Sequence, residues 1–180
     1  MKRRIILAGF VSIALNFIVN MPFAENRISH RFVDKTIAGI VVGGDYEEKV
    51  MKYFGKGTLV QAGYAWCYYS TDQNQFIIFE LCEDGIICAV ALTKNYPTEC
   101  QKIATHKKPF KTSKGIQLGD TPEKVIKIYG EPEKKEIKDG MLVFEYHTDY
   151  TKDPRVKLFY DAHLYFKDGK LVKLHIHDGS

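Results

Sequence analysis

The chain has 180 residues, of which 45% are hydrophobic and 27% charged, the composition of an ordinary globular protein. Its aromatic content of 13% excludes an intrinsically disordered chain, because aromatic side chains bury enough area to offset the ordering entropy. The net charge is +4, but three of the positive charges are Lys2, Arg3 and Arg4. Without them, the chain has 23 basic and 22 acidic residues. This balance leaves no excess of positive charge for binding a nucleic acid.

The first 24 residues have the layout of a secretory signal peptide. Basic residues 2–4 precede an apolar stretch at residues 5–19, and Ala24 offers a small side chain for cleavage before Glu25. The apolar stretch is shorter than the roughly 20 residues that a membrane-spanning helix needs. We therefore expect a periplasmic or secreted protein with no stable membrane span after cleavage; a membrane-anchoring helix is the alternative.

The chain contains an internal repeat. The aligned segments are 36–43 with 112–119, and 45–55 with 120–130. Ten of these 19 aligned pairs are identical, against about one expected by chance. The sequence therefore predicts two copies of one unit, which we place at residues 25–100 and 101–180 and call copy one and copy two.

Each copy is predicted to begin with a helix. Asp45 or Asp120 stands at the N-cap, with a glutamate three residues later as in a capping box. Apolar side chains follow at helical spacing, and Gly55 or Gly130 then ends the helix in the left-handed αL conformation, with a positive φ.

Three strands are predicted after each helix, at residues 64–70, 75–82 and 86–92 in copy one, and at residues 141–147, 157–166 and 170–177 in copy two. Five apolar residues of the last hairpin are expected on the face that a helix covers: Leu164, Phe166, Val172, Leu174 and Ile176. This pattern requires a three-residue loop at Gly169 with a bulge. It would place Asp161 opposite His175 and His163 opposite Lys173. Residues 94–112 are expected to form a polar connection between the copies.

The four cysteines fall within 34 residues: Cys67, Cys82, Cys88 and Cys100. Their closest spacing, five intervening residues, lies outside the Cys-x₂₋₄-Cys spacing of a zinc site. An exported chain favours two disulfides, or one disulfide with two buried thiols, and four cysteines allow three connectivities. A plausible turn at Lys94-Asn95 favours Cys88 with Cys100, which leaves Cys67 with Cys82.

The repeated motif Gly-Ile-x-x-Gly-Asp-x-x-x-x-Val-x-x-x-x-Gly, followed by strands and Phe-Lys-Asp-Gly-Lys, resembles the repeat of β-lactamase inhibitory protein and of the BamE-like outer-membrane assembly proteins. The resemblance implies an α+β fold in which each copy packs a helix-loop-helix unit on one face of an antiparallel sheet. It also implies protein binding through the open sheet face, without catalysis. Copy two has no cysteine, unlike the inhibitor's repeats, so inhibition of a β-lactamase is not carried over.

The predicted function is therefore a non-catalytic protein-binding module, and the alternative is an assembly accessory protein of the cell envelope. No Gly-x-Ser-x-Gly elbow or phosphate-binding loop favours an enzyme, and no cofactor is expected. The strand at residues 76–82 is apolar on both faces, whereas a sheet with helices on one side should alternate. A partner protein, the other copy or a second molecule would cover the extra face. The candidate partner-binding residues are Tyr69, Ile77, Phe79, Leu81 and Tyr165.

The sequence predicts no metal site. The nearest approach to one is the histidine set His163, His175 and His177 on the last two strands. Two histidines at positions i and i+2 of a strand can bind a metal ion. The alternative is a solvated sheet face with an Asp–His cross-strand pair.

Overall fold

The structure is a computed structural model that describes residues 34–104, 109–149 and 159–179. The predicted signal peptide lies outside these residues. Two α-helices are present in the described part, α1 (Glu47–Phe54) and α2 (Pro122–Tyr129). The strands are β1 (Thr36–Ile37), β2 (Ile40–Val41), β3 (Thr58–Val60), β4 (Ala65–Ser70), β5 (Gln75–Leu81), β6 (Ile87–Thr93), β7 (Gln101–Ile103), β8 (Lys134–Lys138), β9 (Met141–Asp149), β10 (Phe159–Lys167) and β11 (Lys170–Gly179).

Nine of the strands form one sheet. Eight of them follow the order β3-β4-β5-β6-β11-β10-β9-β8, with every neighbouring pair antiparallel. The short strand β7 pairs in parallel with β4 beside β3, and β1 and β2 form a separate two-stranded hairpin. Copy one thus supplies one end of the sheet and copy two the other, except that β7, at the start of copy two, lies at the end formed by copy one.

The predicted α+β fold with helix-loop-helix units is wrong. The protein is mostly antiparallel β-sheet, and each copy has a single eight-residue α-helix in its described part. In copy one, the hairpin β1–β2 precedes α1, and the described residues of that copy contain no second α-helix for the implied helix-loop-helix unit. Ala38 and Gly39 at the tip of this hairpin have φ values of 51° and 83°, and residues in this left-handed region cannot continue a right-handed helix. In copy two, Gly115 and Gly119 break the equivalent segment in the same way.

The two predicted helices exist and end where expected. Gly55 and Gly130 have φ values of 78° and 84°, which confirms the positive φ. The predicted αL conformation is wrong, because their ψ values of −172° and −173° lie in a different region that is essentially reserved for glycine. The N-caps are Tyr46 and Thr121, one residue after the predicted Asp45 and Asp120. Each aspartate instead accepts a backbone N–H of the preceding turn, at 2.7 Å and 3.0 Å.

A local twofold axis relates the two copies. The Asp-Gly turns at 84–85 and 168–169 differ by 84 positions, so Val90 corresponds to Leu174 and Leu92 to Ile176. At the junction of the copies, Leu174 pairs with Leu92 and Ile176 pairs with Val90. The axis therefore passes between β6 and β11, and the two repeats are halves of one continuous sheet.

Both helices pack on the same face of this sheet. The Phe54 ring of α1 lies 5.4 Å from the rings of Tyr68 and Phe79, and the Tyr129 ring of α2 lies 5.6 Å from Tyr146. These residues belong to one apolar cluster that spans both copies. The copies are also tied by Asp34, which is fully buried among residues of copy two. We call the opposite side of the sheet the helix-free face.

The last hairpin has a different register from the one predicted. Asp168 and Gly169 form a two-residue turn with φ values of 50° and 69°, a pattern that favours a type I′ turn. The register then shifts between Tyr165 and Phe166, so Val172 is the extra residue and Leu171 takes its place in the core. Leu164, Phe166, Leu174 and Ile176 face the helices as expected.

Candidate functional site

Three of the five predicted partner-binding residues lie on the wrong side of the sheet. Ile77 and Phe79 are fully buried in the core beneath the helices, and Leu81 packs against the same core. Phe79 pairs with Trp66 and Val90, which also face the helices. Alternation along a strand shows which residues share a face but not which face the helices cover. That ambiguity explains the error.

The other two predicted residues, Tyr69 and Tyr165, are half-buried on the helix-free face. They lie in different halves of the sheet, on β4 and β10. The residues of β5 that share this face are Phe76, Ile78 and Glu80.

In copy one, the helix-free face is covered by the chain itself. Residues 94–100, which we call the strap, leave β6 at the centre of the sheet and lead to β7 at its edge. The Tyr96 ring of the strap lies 6.0 Å from Phe76, and Cys100 is only 4% exposed. A second, smaller apolar cluster results, made of Val60, Ala65, Cys67, Ile78, Ala91 and Cys100. This cluster explains why β5 is apolar on both faces.

All four cysteines are oxidised, which confirms the prediction of two disulfides, but the predicted pairing is wrong. The bonds join Cys67 to Cys100 and Cys82 to Cys88, with Cα–Cα distances of 5.1 Å and 5.6 Å. The parallel pairing of β7 with β4 brings Cys100 beside Cys67 and fixes the strap. The short turn between β5 and β6 brings Cys82 beside Cys88.

The two copies have the same contacts on the face that the helices cover. Tyr68 and Tyr146 occupy equivalent positions on β4 and β9. Their hydroxyls donate to the carbonyl oxygens of Gly55 and Gly130 at 2.8 Å and 3.0 Å. Burial raises the pKa of both phenols above the usual range.

The copies differ on the helix-free face. Strand pairing matches five positions of copy one, Cys67, Tyr69, Phe76, Ile78 and Ala91, with Glu145, His147, Asp161, His163 and His175 of copy two. The apolar set of one copy is thus an ionisable set in the other. The apolar residues Val143 and Phe159 also lie on the helix-free side of β9 and β10. We define the polar face by eight polar side chains on the helix-free side of β9, β10 and β11: Glu145, His147, Asp161, His163, Tyr165, Lys173, His175 and His177.

Asp161 lies at the centre of the polar face. Its Oδ1 is 2.5 Å from Nδ1 of His147, and its Oδ2 is 3.5 Å from Nε2 of His177. His147 also contacts Asp149 through Nε2, at 3.1 Å. The His177 ring stacks between His163 and His175, with centroid distances of 5.9 Å and 5.6 Å. One carboxylate therefore orients imidazoles from both neighbouring strands.

The environment shifts these imidazoles in opposite directions. Burial of the His147 ring opposes protonation, but its hydrogen bonds to Asp161 and Asp149 outweigh that effect and raise its pKa. Burial lowers the pKa of His163, and burial together with the neighbouring His177 lowers that of His175 to about 4. His163 and His175 are therefore neutral at pH 7, and each keeps a nitrogen lone pair.

The histidines are grouped differently from the prediction. Asp161 pairs with His177, and His163 pairs with His175. The ligand atoms that lie closest together are therefore those of Asp161, His163 and His177, and His175 is not among them. Nε2 of His175 instead lies 3.9 Å from Oε1 of Glu80. His147 was not among the predicted residues, because it reaches Asp161 only through the pairing of β9 with β10.

A groove of about 240 Å³ opens where the strap meets the polar face. Its lining includes Ile78, Glu80, Ala91, Tyr96, Lys173 and His175. The groove combines an apolar floor with charged rims of both signs.

Comparison of the chain with protein-family models, with curated proteins and with solved structures finds no match. The resemblance to the inhibitor and BamE-like repeats stays a prediction. The two disulfides are compatible with a protein outside the cytoplasm. Among the described residues, no helix combines the length and the apolar character needed to cross a membrane.

Proposed function

We propose that this protein is a non-catalytic binding module, periplasmic or secreted, that holds another protein against its polar face. The observation that carries the proposal is the divergence of the two copies. Positions that form a closed apolar cluster in copy one hold partly exposed ionisable side chains in copy two. The strap covers one half of the helix-free face, and the other half is left with polar side chains. Such an uncovered half is suited to binding a partner.

The chemistry of the polar face suits a folded protein better than a nucleic acid. Acidic residues Glu145 and Asp161 stand among the imidazoles, and Lys173 lies over the Tyr165 ring at 5.2 Å. Tyrosine is enriched where protein partners bind tightly, because its ring is rigid and its hydroxyl forms hydrogen bonds. A nucleic-acid surface would instead carry a consistent excess of positive charge.

The disulfides favour export, and the predicted signal peptide points the same way. The resemblance to β-lactamase inhibitory protein, which the sequence suggests, also points to a sheet face as the binding surface. The alternative role, an assembly accessory of the cell envelope, would use the same face with an integral membrane protein as its partner.

The test is a pull-down of envelope and secreted extracts with the exported protein, followed by binding measurements with the purified partner. The variants Tyr165→Asp and Lys173→Glu alter the polar face outside its histidine cluster. Tyr46→Asp is the matched control, because Tyr46 is 49% exposed at the start of α1, on the other side of the sheet. We expect the two polar-face variants to bind the partner at least tenfold more weakly and the control to bind it normally.

Equal affinity of all three variants would exclude the polar face as the binding surface. The nature of the partner separates the two roles, since a soluble partner supports the binding module and an integral outer-membrane protein supports the assembly accessory.

A further inference from the structure

Three side chains of the polar face converge as metal ligands do. Asp161, His163 and His177 each offer one ligand atom, and the three atoms lie within 4.8 Å of one another. Ligand atoms around a tetrahedral zinc ion are about 3.4 Å apart, which follows from zinc–ligand bonds of about 2.1 Å. Small side-chain rotations of these half-buried residues would close that difference.

We propose that Asp161, His163 and His177 form a binding site for a divalent first-row transition metal ion, such as Zn²⁺. Two imidazoles and one carboxylate form a ligand set that zinc accepts, and nickel and copper also bind imidazole. Calcium and magnesium prefer oxygen ligands alone, so this set discriminates against them. The proposal does not depend on binding of a partner protein.

The scaffold holds the three ligands in fixed relative positions. Asp161 and His163 are two residues apart on β10, so they share a face, and His177 pairs directly with Asp161 from β11. Both strands lie in the interior of the sheet, with β6 and β9 as their outer neighbours. Ligands on such elements are positioned more accurately than ligands on loops.

Neighbouring residues support the ligands as the outer shell of a metal site does. The carboxylate of Asp161 binds His147 through Oδ1, which leaves Oδ2 directed at His177. Nδ1 of His177 is buried and has no hydrogen-bond partner among the described residues. A buried nitrogen without a partner is costly. Because Nε2 is the atom that faces Asp161, a metal ion would remove that cost only if the His177 ring reorients.

Three protein ligands leave one tetrahedral position open, as in zinc sites that accept water or an external group. The side chains of Asp161 and His177 are 24% and 31% exposed, so the open position is reachable from solvent. Lys138 and Glu145 place one charge of each sign near His163.

The test uses the exported full chain, freed of metal with a chelator and then titrated with Zn²⁺ by calorimetry and thermal denaturation. We expect one equivalent to bind and, at a hundredfold excess over Kd, the Tm to rise by about 5–10 °C. Ca²⁺ should leave the Tm unchanged. Absence of a Zn²⁺ effect on the wild-type protein would overturn the proposal.

Variants locate the site. His163→Ala and His177→Ala should each weaken Zn²⁺ binding at least a hundredfold, while His147→Ala, a positioning residue, should weaken it about 10–100-fold. Glu80→Gln is the control, because Glu80 shares the helix-free face but lies outside the three ligands. All variants should keep the far-UV circular dichroism of the wild type, since the altered side chains are partly exposed. Zn²⁺ binding that survives both ligand variants would place the metal elsewhere and overturn the proposal.

Discussion

The glycine that ends each helix serves two purposes at the residue scale. Its backbone takes a conformation with φ near 80° and ψ near 180° that other residues adopt only under strain. Its carbonyl oxygen then accepts the hydroxyl of Tyr68 or Tyr146 from the sheet below. Helix end and strand are thereby linked in the same way in both copies.

Replacing Gly55 or Gly130 with alanine should lower the free energy of unfolding by about 1–3 kcal/mol. At Gly55 nothing lies within 4 Å of the added Cβ, so the cost comes from backbone strain and not from a clash. Urea denaturation measures the change. Lys56→Ala, on the exposed residue that follows Gly55, is the control and should be neutral. Wild-type stability of both glycine variants would mean that the helix ends relax freely.

At the scale of the element, β5 has two apolar faces with different roles. Phe79 is fully buried under α1, whereas Phe76 is only half-buried beneath the strap, beside Tyr96. The first belongs to the main core and the second borders the small cluster of copy one.

The variant Phe79→Ala should therefore destabilise the protein by about 3–5 kcal/mol, the usual cost of truncating a buried phenylalanine. Phe76→Ala, the matched change on the opposite face three residues away, should cost about half as much, because part of its ring already contacts water. Chemical denaturation of the two variants gives the comparison. A larger loss for Phe76→Ala would mean that the strap side is the principal core.

The disulfide that holds the strap should contribute more to stability than the disulfide that closes the β5–β6 turn. Cys67–Cys100 joins residues 33 positions apart, whereas Cys82–Cys88 joins residues only 6 apart. A longer closed loop restricts the unfolded chain more strongly. Loop-closure entropy gives about 4 kcal/mol for the first bond and about 2 kcal/mol for the second.

We expect the double variant Cys67→Ala/Cys100→Ala to lose more stability than Cys82→Ala/Cys88→Ala. The first variant should also become sensitive to proteolysis within residues 94–100.

Thiol counting on the denatured wild-type protein should find no free thiols before reduction and four afterwards. Free thiols before reduction, or a reversed order of stability, would contradict this assignment.

At the scale of the whole molecule, the two copies form one folding unit. They share the main apolar cluster, the β6–β11 pairing and the hydrogen bonds of buried Asp34 to Ser113, Lys114 and Tyr129. Neither half of the sheet can separate without exposing core residues, so unfolding should be a single transition.

Tryptophan fluorescence can report on each copy separately. Trp66, the one tryptophan of the chain, lies in copy one, and Phe144 holds the equivalent buried position in copy two. We expect the wild type and the variant Trp66→Phe/Phe144→Trp each to show the same urea midpoint by fluorescence and by far-UV circular dichroism. Midpoints within one protein that differ by more than about 0.3 M would show that the copies unfold independently.

Local structure could be predicted well from the sequence. The six predicted strands correspond to β4, β5, β6, β9, β10 and β11, and the predicted ends that fall in the described residues are shifted by at most two residues. Helix stops at Gly55 and Gly130 and the oxidised state of the cysteines were also predictable. The strands and helix ends depend on hydrophobic periodicity and turn residues, which are visible in short stretches of sequence. The oxidised cysteines follow from the export that the signal peptide predicts. The short strands β1, β2, β3 and β7 and the polar edge strand β8 escaped prediction, because they are too short or too charged to show a pattern.

Which elements meet could not be predicted, because their contacts depend on the packing of the whole chain. The joining of β6 to β11, the covered face of β5 and the pairing of Cys67 with Cys100 all connect residues far apart in the chain. The candidate metal ligands came together for the same reason, because one bulge at Val172 determines which histidine faces Asp161. A shift of one residue in a strand leaves its alternation unchanged but reverses the face of every side chain. Periodicity therefore cannot choose between registers, and the choice falls to the packing of both copies around one core.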